Sequence, residues 1–216
     1  MYAINHAATA LLLKRKFPTA KMIWLLISVQ LIELLWVAFN LLGIEYFSVR
    51  DSVIHLDYLP WSHSVLSTVS LALIAWLIVS KGFKNKPLGV AVAIGILSHV
   101  VLDIFMHEPD IALTPFAGYV FGLNIQSFPL LTIIVETGYG VFCWWYFKGN
   151  RALLIAIVAL NLANIPTIFN VSPALNDFFD KMPFILPTVI LAQILYTWYF
   201  VWRFSRQPAE AAGMTA

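Results

Sequence analysis

The chain has 216 residues, of which 61% are hydrophobic and 11% are charged. A soluble globular domain has about 45 to 50% apolar and about 25% charged residues, so the composition excludes an ordinary soluble domain and indicates a polytopic membrane protein. The net charge of +2 is too small, and the basic residues are too scattered, to suggest nucleic-acid binding. The single cysteine, Cys143, excludes a disulfide within the chain and a thiolate zinc site.

An apolar, helix-permissive segment occupies residues 2–13 and ends in the basic run Lys14, Arg15 and Lys16. It is too short to cross a bilayer. Its charges follow the apolar stretch, whereas those of a cleaved secretory signal peptide precede it. We therefore expect an N-terminal half-helix.

Six longer apolar runs follow, each near the roughly 20 residues that cross a bilayer. They lie at 22–42, 62–80, 87–106, 128–147, 151–169 and 184–203. The sequence therefore predicts an all-α fold, a helical membrane bundle of about six transmembrane helices plus the half-helix. We expect residues 1–206 to form one domain and the polar segment 207–216 to be a disordered cytoplasmic tail.

The basic residues predict the orientation of this bundle. Of the 13 lysines and arginines, only Arg50 and Lys181 fall on the connections after the odd-numbered spans. The others lie near the termini or after the second and fourth spans, and positive charge marks the cytoplasmic side. We expect an integral protein of a bacterial inner membrane with both termini cytoplasmic and the connections at 43–61, 107–127 and 170–183 outside.

Ionisable residues inside such spans are costly in lipid and call for an explanation. His99 and Asp103 lie at i and i+4 in the third span, so they share one helix face, and His107 follows at i+8. At 1.5 Å per residue, His99 lies about 10 Å and Asp103 about 5 Å below an outer boundary near Met106. His107 and Asp110, in the loop HEPD, are then expected at the mouth of a pocket.

Other segments bring polar side chains to the same depth. Glu33 in the first span and Glu136 in the fourth lie about 14 Å and about 12 Å below the outer boundary, and His63 opens the second span. If Lys14 marks the cytoplasmic boundary, His6 lies about 12 Å above it, near mid-bilayer. Four spans and the half-helix are therefore expected to meet in one polar layer.

Histidines and carboxylates at one depth supply nitrogen and oxygen ligands, which suit Zn²⁺, with Mn²⁺ or Fe as alternatives. A divalent metal in such a site supports hydrolysis. A carboxylate outside the ligand set, Glu33 or Glu136, is the expected general base. Ser62 and Ser64 flank His63 in sequence, but adjacent residues on a helix do not face each other, so we expect neither serine to face this histidine and no nucleophilic serine or cysteine constellation in the chain.

The same residues fit two other classes of protein. They can form the relay of a proton- or ion-coupled transporter, although the chain has no internal repeat of the kind that marks many transporters. They can also serve only to hold the bundle together, since intramembrane histidines often bridge helices and Glu33 shares a face with Gln30 and Asn40. Sequence patterns alone leave these alternatives open.

Several short motifs resemble the YdjM-type membrane-bound metal-dependent hydrolases. They are NHAATALLL at 5–13, an acid in the first span, PWSHSVL at 60–66, SHVVLD at 98–103 and the proline-containing ALTPF at 112–116. The resemblance covers roughly residues 4–147. It is closer still to a branch of small membrane proteins with a DYLPWSHS-like motif, here at 57–64, and a His-x-Pro-Asp loop, here at 107–110.

This resemblance implies a distant relation to the all-helical zinc phospholipase C and P1-nuclease group, in which helices supply His-x-x-x-Asp or Glu ligands to a phosphoesterase centre. It implies four metal ligands, which are His6, His63, His99 and Asp103. Glu33, in QLIELLW, stands where the family has a Pro-Asp-x-Asp motif and keeps one acid. The implied activity is hydrolysis of a phosphoester or lipid within the bilayer, and nothing in the sequence identifies a protein partner.

Overall fold

The computed structural model describes residues 1–50, 53–116, 118–167 and 182–206, with the side chains of 49–57 left out of the description. The predicted tail at 207–216, Lys181 and most of the predicted outer connection at 170–183 lie outside the described residues. The described part of the chain is mostly helical, which confirms the predicted all-α class.

Seven α-helices form the described part of the chain. They are α1 (Ala3–Lys16), α2 (Met22–Leu41), α3 (Val65–Leu77), α4 (Lys86–Met106), α5 (Pro129–Phe147), α6 (Arg151–Ala163) and α7 (Ile185–Phe204). A π-helix at Ile78–Gly82 extends α3, and short 3-10 turns lie at Ile125–Ser127 and Ile165–Thr167. Two antiparallel hairpins pair β1 (Tyr46–Arg50) with β2 (Val53–Tyr58) and β3 (Ile111–Ala112) with β4 (Val120–Phe121).

Five of the described helices are long and apolar enough to cross a membrane, namely α2, α3 with its π extension, α4, α5 and α7. Together with the composition, they indicate an integral membrane protein. The sixth apolar helix, α6, has 13 residues. Because this length is below that of a full span, the predicted count of six spans stays a prediction.

Three helices begin at side-chain caps. Ser64, Asn85 and Asn150 each accept a hydrogen bond from a backbone N–H three residues further on, at the starts of α3, α4 and α6. Such caps satisfy one of the backbone donors that a helix leaves free at its N-terminus. They place the start of α3 two residues after His63, so His63 itself lies outside the helix.

The short helix α1 lies at the centre of the bundle. Its residues Ala7, Ala8, Ala10 and Leu11 have no exposed surface, and it packs against α2, α4, α5, α6 and α7. Small side chains let neighbouring helix backbones approach closely. The segment predicted to be a half-helix is therefore a 14-residue helix that the other helices surround.

A glycine sets the approach of α2 to α4, the helices that carry Glu33 and Asp103. A Cβ atom added to Gly95 on α4 would lie 2.2 Å from Ser28 Oγ and 2.8 Å from Ser28 Cβ on α2. The Ser28 Cβ is fixed to the backbone and cannot rotate away. Any side chain at position 95 must therefore push the two helices apart.

We expect Gly95→Ala to lower the free energy of unfolding by about 1–3 kcal/mol, the usual effect of an extra methyl group in a closely packed core. Thermal unfolding in detergent measures the change. Gly138→Ala on α5 is the matched control, because nothing lies within 4 Å of a Cβ atom added there. Alanine is also the better helix former, so this control should not lose stability. Equal losses in both variants would contradict the close packing at Gly95.

Candidate metal centre

Four histidines surround the carboxylate of Asp103 near the end of α4. His6 Nε2 lies 3.1 Å from Asp103 Oδ1, and His99 Nε2 lies 3.1 Å from Oδ2. The Nε2 atoms of His63 and His107 each lie 3.9 Å from a carboxylate oxygen of Asp103. Asp103 has 1% of its surface exposed. Residues from α1, from α4 and from the segments flanking α3 and α4 thus meet at one buried carboxylate.

Glu33 on α2 joins this group. Its Oε2 atom lies 3.5 Å from His63 Nε2 and 3.4 Å from His99 Nε2. Two triads, His6–His99–Asp103 and Glu33–His63–His99, each have ligand-type atoms within 4.8 Å of one another. The structure therefore brings together the four predicted ligands, His6, His63, His99 and Asp103, and places Glu33 among them.

Hydrogen bonds fix which ring nitrogens of two histidines face the centre. His99 Nδ1 lies 2.9 Å from the carbonyl oxygen of Val29, which only accepts, so Nδ1 is the donor. Ser62 Oγ donates to Glu45 at 2.6 Å and therefore accepts from His63 Nδ1 at 2.8 Å. In a neutral ring, the proton on Nδ1 leaves a lone pair on Nε2, the arrangement found in metal-ligating histidines.

Glu45 fixes the position of Ser62, and through Ser62 that of the His63 ring. Its Oε1 atom accepts hydrogen bonds from the backbone N–H groups of Trp61 at 2.9 Å and Ser62 at 2.8 Å, and the residue is 1% exposed. Sequence patterns missed Glu45 because it lies in a connection, where no span fixes its depth. The contact of Ser62 with His63 also differs from our expectation, because these residues precede α3 and do not follow helical geometry.

Glu136 lies on α5 and takes no part in either triad. Its carboxylate accepts hydrogen bonds from the backbone N–H of Tyr2 at 3.0 Å and from the side-chain amide of Asn5. Asn5 also donates to Asn161 Oδ1 at 2.9 Å. Glu136 therefore holds the first turn of α1, and with it His6, although its expected depth places it in the same polar layer as the two triads.

A buried amine lies against the centre. The Met1 amine lies 2.9 Å from Asp103 Oδ1 and interacts electrostatically with the carboxylates of Asp103, Glu33 and Glu136. Buried charges in proteins need such compensation.

Two kinds of distance join the ligand-type atoms. His6 Nε2 and His99 Nε2 each lie 3.1 Å from an oxygen of Asp103, within the usual hydrogen-bond range of about 2.7–3.2 Å. The pairs of Glu33 with His63 and His99 lie at 3.5 and 3.4 Å, beyond that range. His99 Nε2 belongs to both triads, so the two triads overlap at one atom. Imidazole nitrogens and carboxylate oxygens at these separations can hold a metal ion.

A cavity of about 160 Å³ adjoins the centre. It is lined by Met1, Glu33, Trp36, His63, Asp103, His107, Leu186 and Ile190. The His107 side chain is 16% exposed, and its Nδ1 atom lies 3.4 Å from Asp110 Oδ2. Trp36 is buried, and its Nε1 atom has no hydrogen-bond partner among the described residues. The cavity thus joins the polar centre to an apolar wall.

No protein-family model, curated protein or solved structure matches this chain. The fold and the site define its class as an integral membrane protein with a buried His/Asp/Glu cluster. The resemblance to YdjM-type hydrolases stays a prediction from short motifs.

We expect purified wild-type protein to hold one divalent metal ion per chain and Asp103→Asn to lose it, because the amide keeps the size of the carboxylate but not its charge. Elemental analysis of both proteins measures the metal. Glu136→Gln is the matched control, since it neutralises another buried carboxylate that lies outside both triads, while the amide oxygen of glutamine can still accept the hydrogen bond from the Tyr2 N–H that holds the first turn of α1. It should keep the metal. A folded wild-type protein without metal, or equal loss in the two variants, would argue against the site.

We expect Ser62→Ala to weaken metal binding about 10- to 100-fold, the usual effect of removing the hydrogen-bond partner of a ligating histidine. Competition with a chelator measures the affinity. Ser64→Ala is the control, because Ser64 lies on the other side of His63 and hydrogen-bonds Ser67 at 2.8 Å. That change removes the cap of α3 and should lower stability by about 1 kcal/mol without changing the affinity. Equal metal affinity in the two variants would contradict the role of Ser62 as the hydrogen-bond partner that orients His63.

Proposed function

We propose that this protein is a membrane-embedded, metal-dependent hydrolase that acts on a phosphoester or lipid substrate. The observation that supports this proposal is the convergence of imidazole nitrogens and carboxylate oxygens from several helices beside a cavity with an apolar wall. Intramembrane ionisable residues are costly and usually mark functional sites. Their arrangement here matches the donor set of zinc enzymes.

The buried triad His6, His99 and Asp103 would hold the metal, with His63 completing its shell. Nitrogen and oxygen donors suit Zn²⁺ best, and Mn²⁺ or Fe are the alternatives. When bound, the ion supplies Lewis acidity, which polarises a phosphoryl or carbonyl oxygen and makes water a better nucleophile at neutral pH. All other steps fall to side chains of the protein.

We assign the role of general base to Glu33. Its side chain is 21% exposed and lines the cavity, whereas that of Asp103 is 2% exposed and enclosed by histidines. A general base must reach the water whose proton it removes. Glu33 accepts that proton as the water oxygen bonds to phosphorus or carbon, and returns a proton to the leaving oxygen as the ester bond breaks.

The cavity supports an amphiphilic substrate. Its volume of about 160 Å³ is below the roughly 300–1,000 Å³ of pockets that enclose a drug-sized ligand, so only the reacting group enters. Leu186 and Ile190 on α7 then contact the apolar part of the substrate. The buried Trp36 N–H, which needs an acceptor, donates to an oxygen of the reacting group.

We also propose that the chain is related to the YdjM-type membrane-bound metal-dependent hydrolases. Support comes from His6, His63, His99 and Asp103, which lie far apart in sequence, match the motifs of that family and lie together in space. The further relation to the zinc phospholipase C and P1-nuclease group rests on the same residues.

The topology that we propose has six spans, both termini in the cytoplasm of a bacterial cell and the centre in the outer half of the inner membrane. The ends of α1, α5 and α7 and the start of α2 support a common side, because basic residues from all four line one cavity. Positive charge favours the cytoplasmic side. The centre lies toward the other end of α1.

The test of the proposed function is turnover by metal-loaded protein in lipid vesicles. Suitable substrates are a chromogenic phosphomonoester, a phosphodiester and a fluorogenic acyl lipid. We expect wild-type turnover of at least one and a loss of about 100- to 10,000-fold in Glu33→Gln, the usual contribution of a general base. Glu136→Gln should keep the activity. Metal-loaded wild-type protein that cleaves none of the three faster than Asp103→Asn would refute the hydrolase and leave the metal site standing.

A further inference from the structure

A second cavity, of about 740 Å³, lies at the other end of α1 from the metal centre. It forms where the end of α1 and the start of α2 meet the ends of α5 and α7. Lys14, on its wall, is eight residues from His6, which corresponds to about 12 Å along the helix. This cavity therefore belongs to a different surface of the bundle from the proposed catalytic site.

Five basic residues line this cavity, and no acidic residue among the described residues lines it. They are Lys14, Arg15, Lys21, Lys148 and Arg206. A concave surface of one charge concentrates its electrostatic potential and attracts ions of opposite charge. Topology explains why basic residues lie on this side of the membrane. It does not explain why residues from four separate helix ends meet at one cavity while Lys81, Lys84 and Lys86 do not line it.

Neighbouring aromatic rings hold both arginines in place. The guanidinium group of Arg206 lies 3.6 Å from the centre of the Trp202 ring, and that of Arg15 lies 4.5 Å from the centre of the Tyr146 ring. A guanidinium that stacks on a ring keeps its in-plane N–H groups free to donate. Two guanidinium groups held in this way can each donate paired hydrogen bonds to the oxygens of a phosphate group.

Lys14 is held by the turn between α1 and α2. Its Nζ atom donates to the carbonyl oxygens of Pro18 at 2.6 Å and Ala20 at 2.7 Å. An ammonium group has three donors, so one remains for a ligand. The turn therefore fixes the position of this charge before any ligand binds.

Apolar side chains lie beside these charges. Ile23 and Trp202, which line the cavity, are 40% and 38% exposed, and Phe147 lines it as well. Tryptophan is enriched at membrane interfaces, where one end of a side chain is apolar and the other polar. A ligand of this cavity thus meets both basic and apolar side chains.

We propose that this cavity binds the phosphate-bearing head group of an anionic phospholipid, with the acyl chains of the lipid against the apolar side chains of the lining. Basic pockets between helices on the cytoplasmic side of membranes bind such head groups. The volume of about 740 Å³ falls within the roughly 300–1,000 Å³ typical of ligand pockets. This site does not depend on the proposed hydrolase activity.

Native mass spectrometry of detergent-purified protein tests the proposal by counting bound lipid. We expect one molecule of phosphatidylglycerol to bind at least 10-fold more tightly than phosphatidylcholine. The triple variant Lys21→Gln, Lys148→Asn and Arg206→Gln should lose this preference. Asparagine is used at position 148 because the backbone there has φ 60, a conformation that asparagine tolerates.

The triple variant Lys81→Gln, Lys84→Asn and Lys86→Gln is the matched control, since it removes the same charge outside the cavity. It should bind phosphatidylglycerol as the wild type does. Equal loss in both triple variants would show a general charge effect and overturn the proposal. Competition by glycerol phosphate or inorganic phosphate at the lipid concentration would also overturn it, because the ligand would then be a soluble phosphate.

Folding is checked independently of lipid binding. Metal content and thermal unfolding should match the wild type in both triple variants, because the basic cavity and the metal centre lie at opposite ends of α1. If the cavity triple variant does not fold, Lys21→Gln alone replaces it, since Lys21 is exposed. We expect a several-fold loss of affinity from this single change, and unchanged lipid binding would count against the site.

Discussion

The buried carboxylate of Asp103 is the constraint on which the arrangement of this bundle depends. A carboxylate with 1% exposure in an apolar bundle is stable only when cations, hydrogen-bond donors or a metal surround it. The partners come from three other segments as well as from α4 itself. Two of them are His6 on α1 and the Met1 amine just before it. A helix too short to span thus supplies charge compensation from the middle of the bundle.

Composition and helical spacing were enough to predict the helical class and the shared face of His99 and Asp103. The expected depth along each span also placed His63 and Glu33 in the same layer as His99 and Asp103. Depth does not fix the direction in which a residue points around its helix axis, and this is why Glu136 lies at the expected depth yet contacts Tyr2 and Asn5 instead of joining a triad. Glu45 and Ser62 lie outside helices, where neither depth nor helical periodicity applies.

The two polar regions of the bundle differ in how their charges are compensated. Around Asp103, carboxylates and imidazoles face one another in the protein interior. At the other end of α1, basic residues line the cavity, and no acidic residue of the described part of the chain lines it. Under the two proposals the first region binds a cation and the second an anion, so the two ligands would stabilise opposite ends of the same central helix.

The shortness of α1 also bears on how the protein is assembled. Its 14 residues span about 21 Å, less than the roughly 30 Å of a bilayer core, and Asn5, His6 and Thr9 are buried. Outside the bundle these groups would face lipid without partners. We therefore expect α1 to be stable in the membrane only when the helices that contact it are present. Its side chains would then reach the polar centre as the bundle closes.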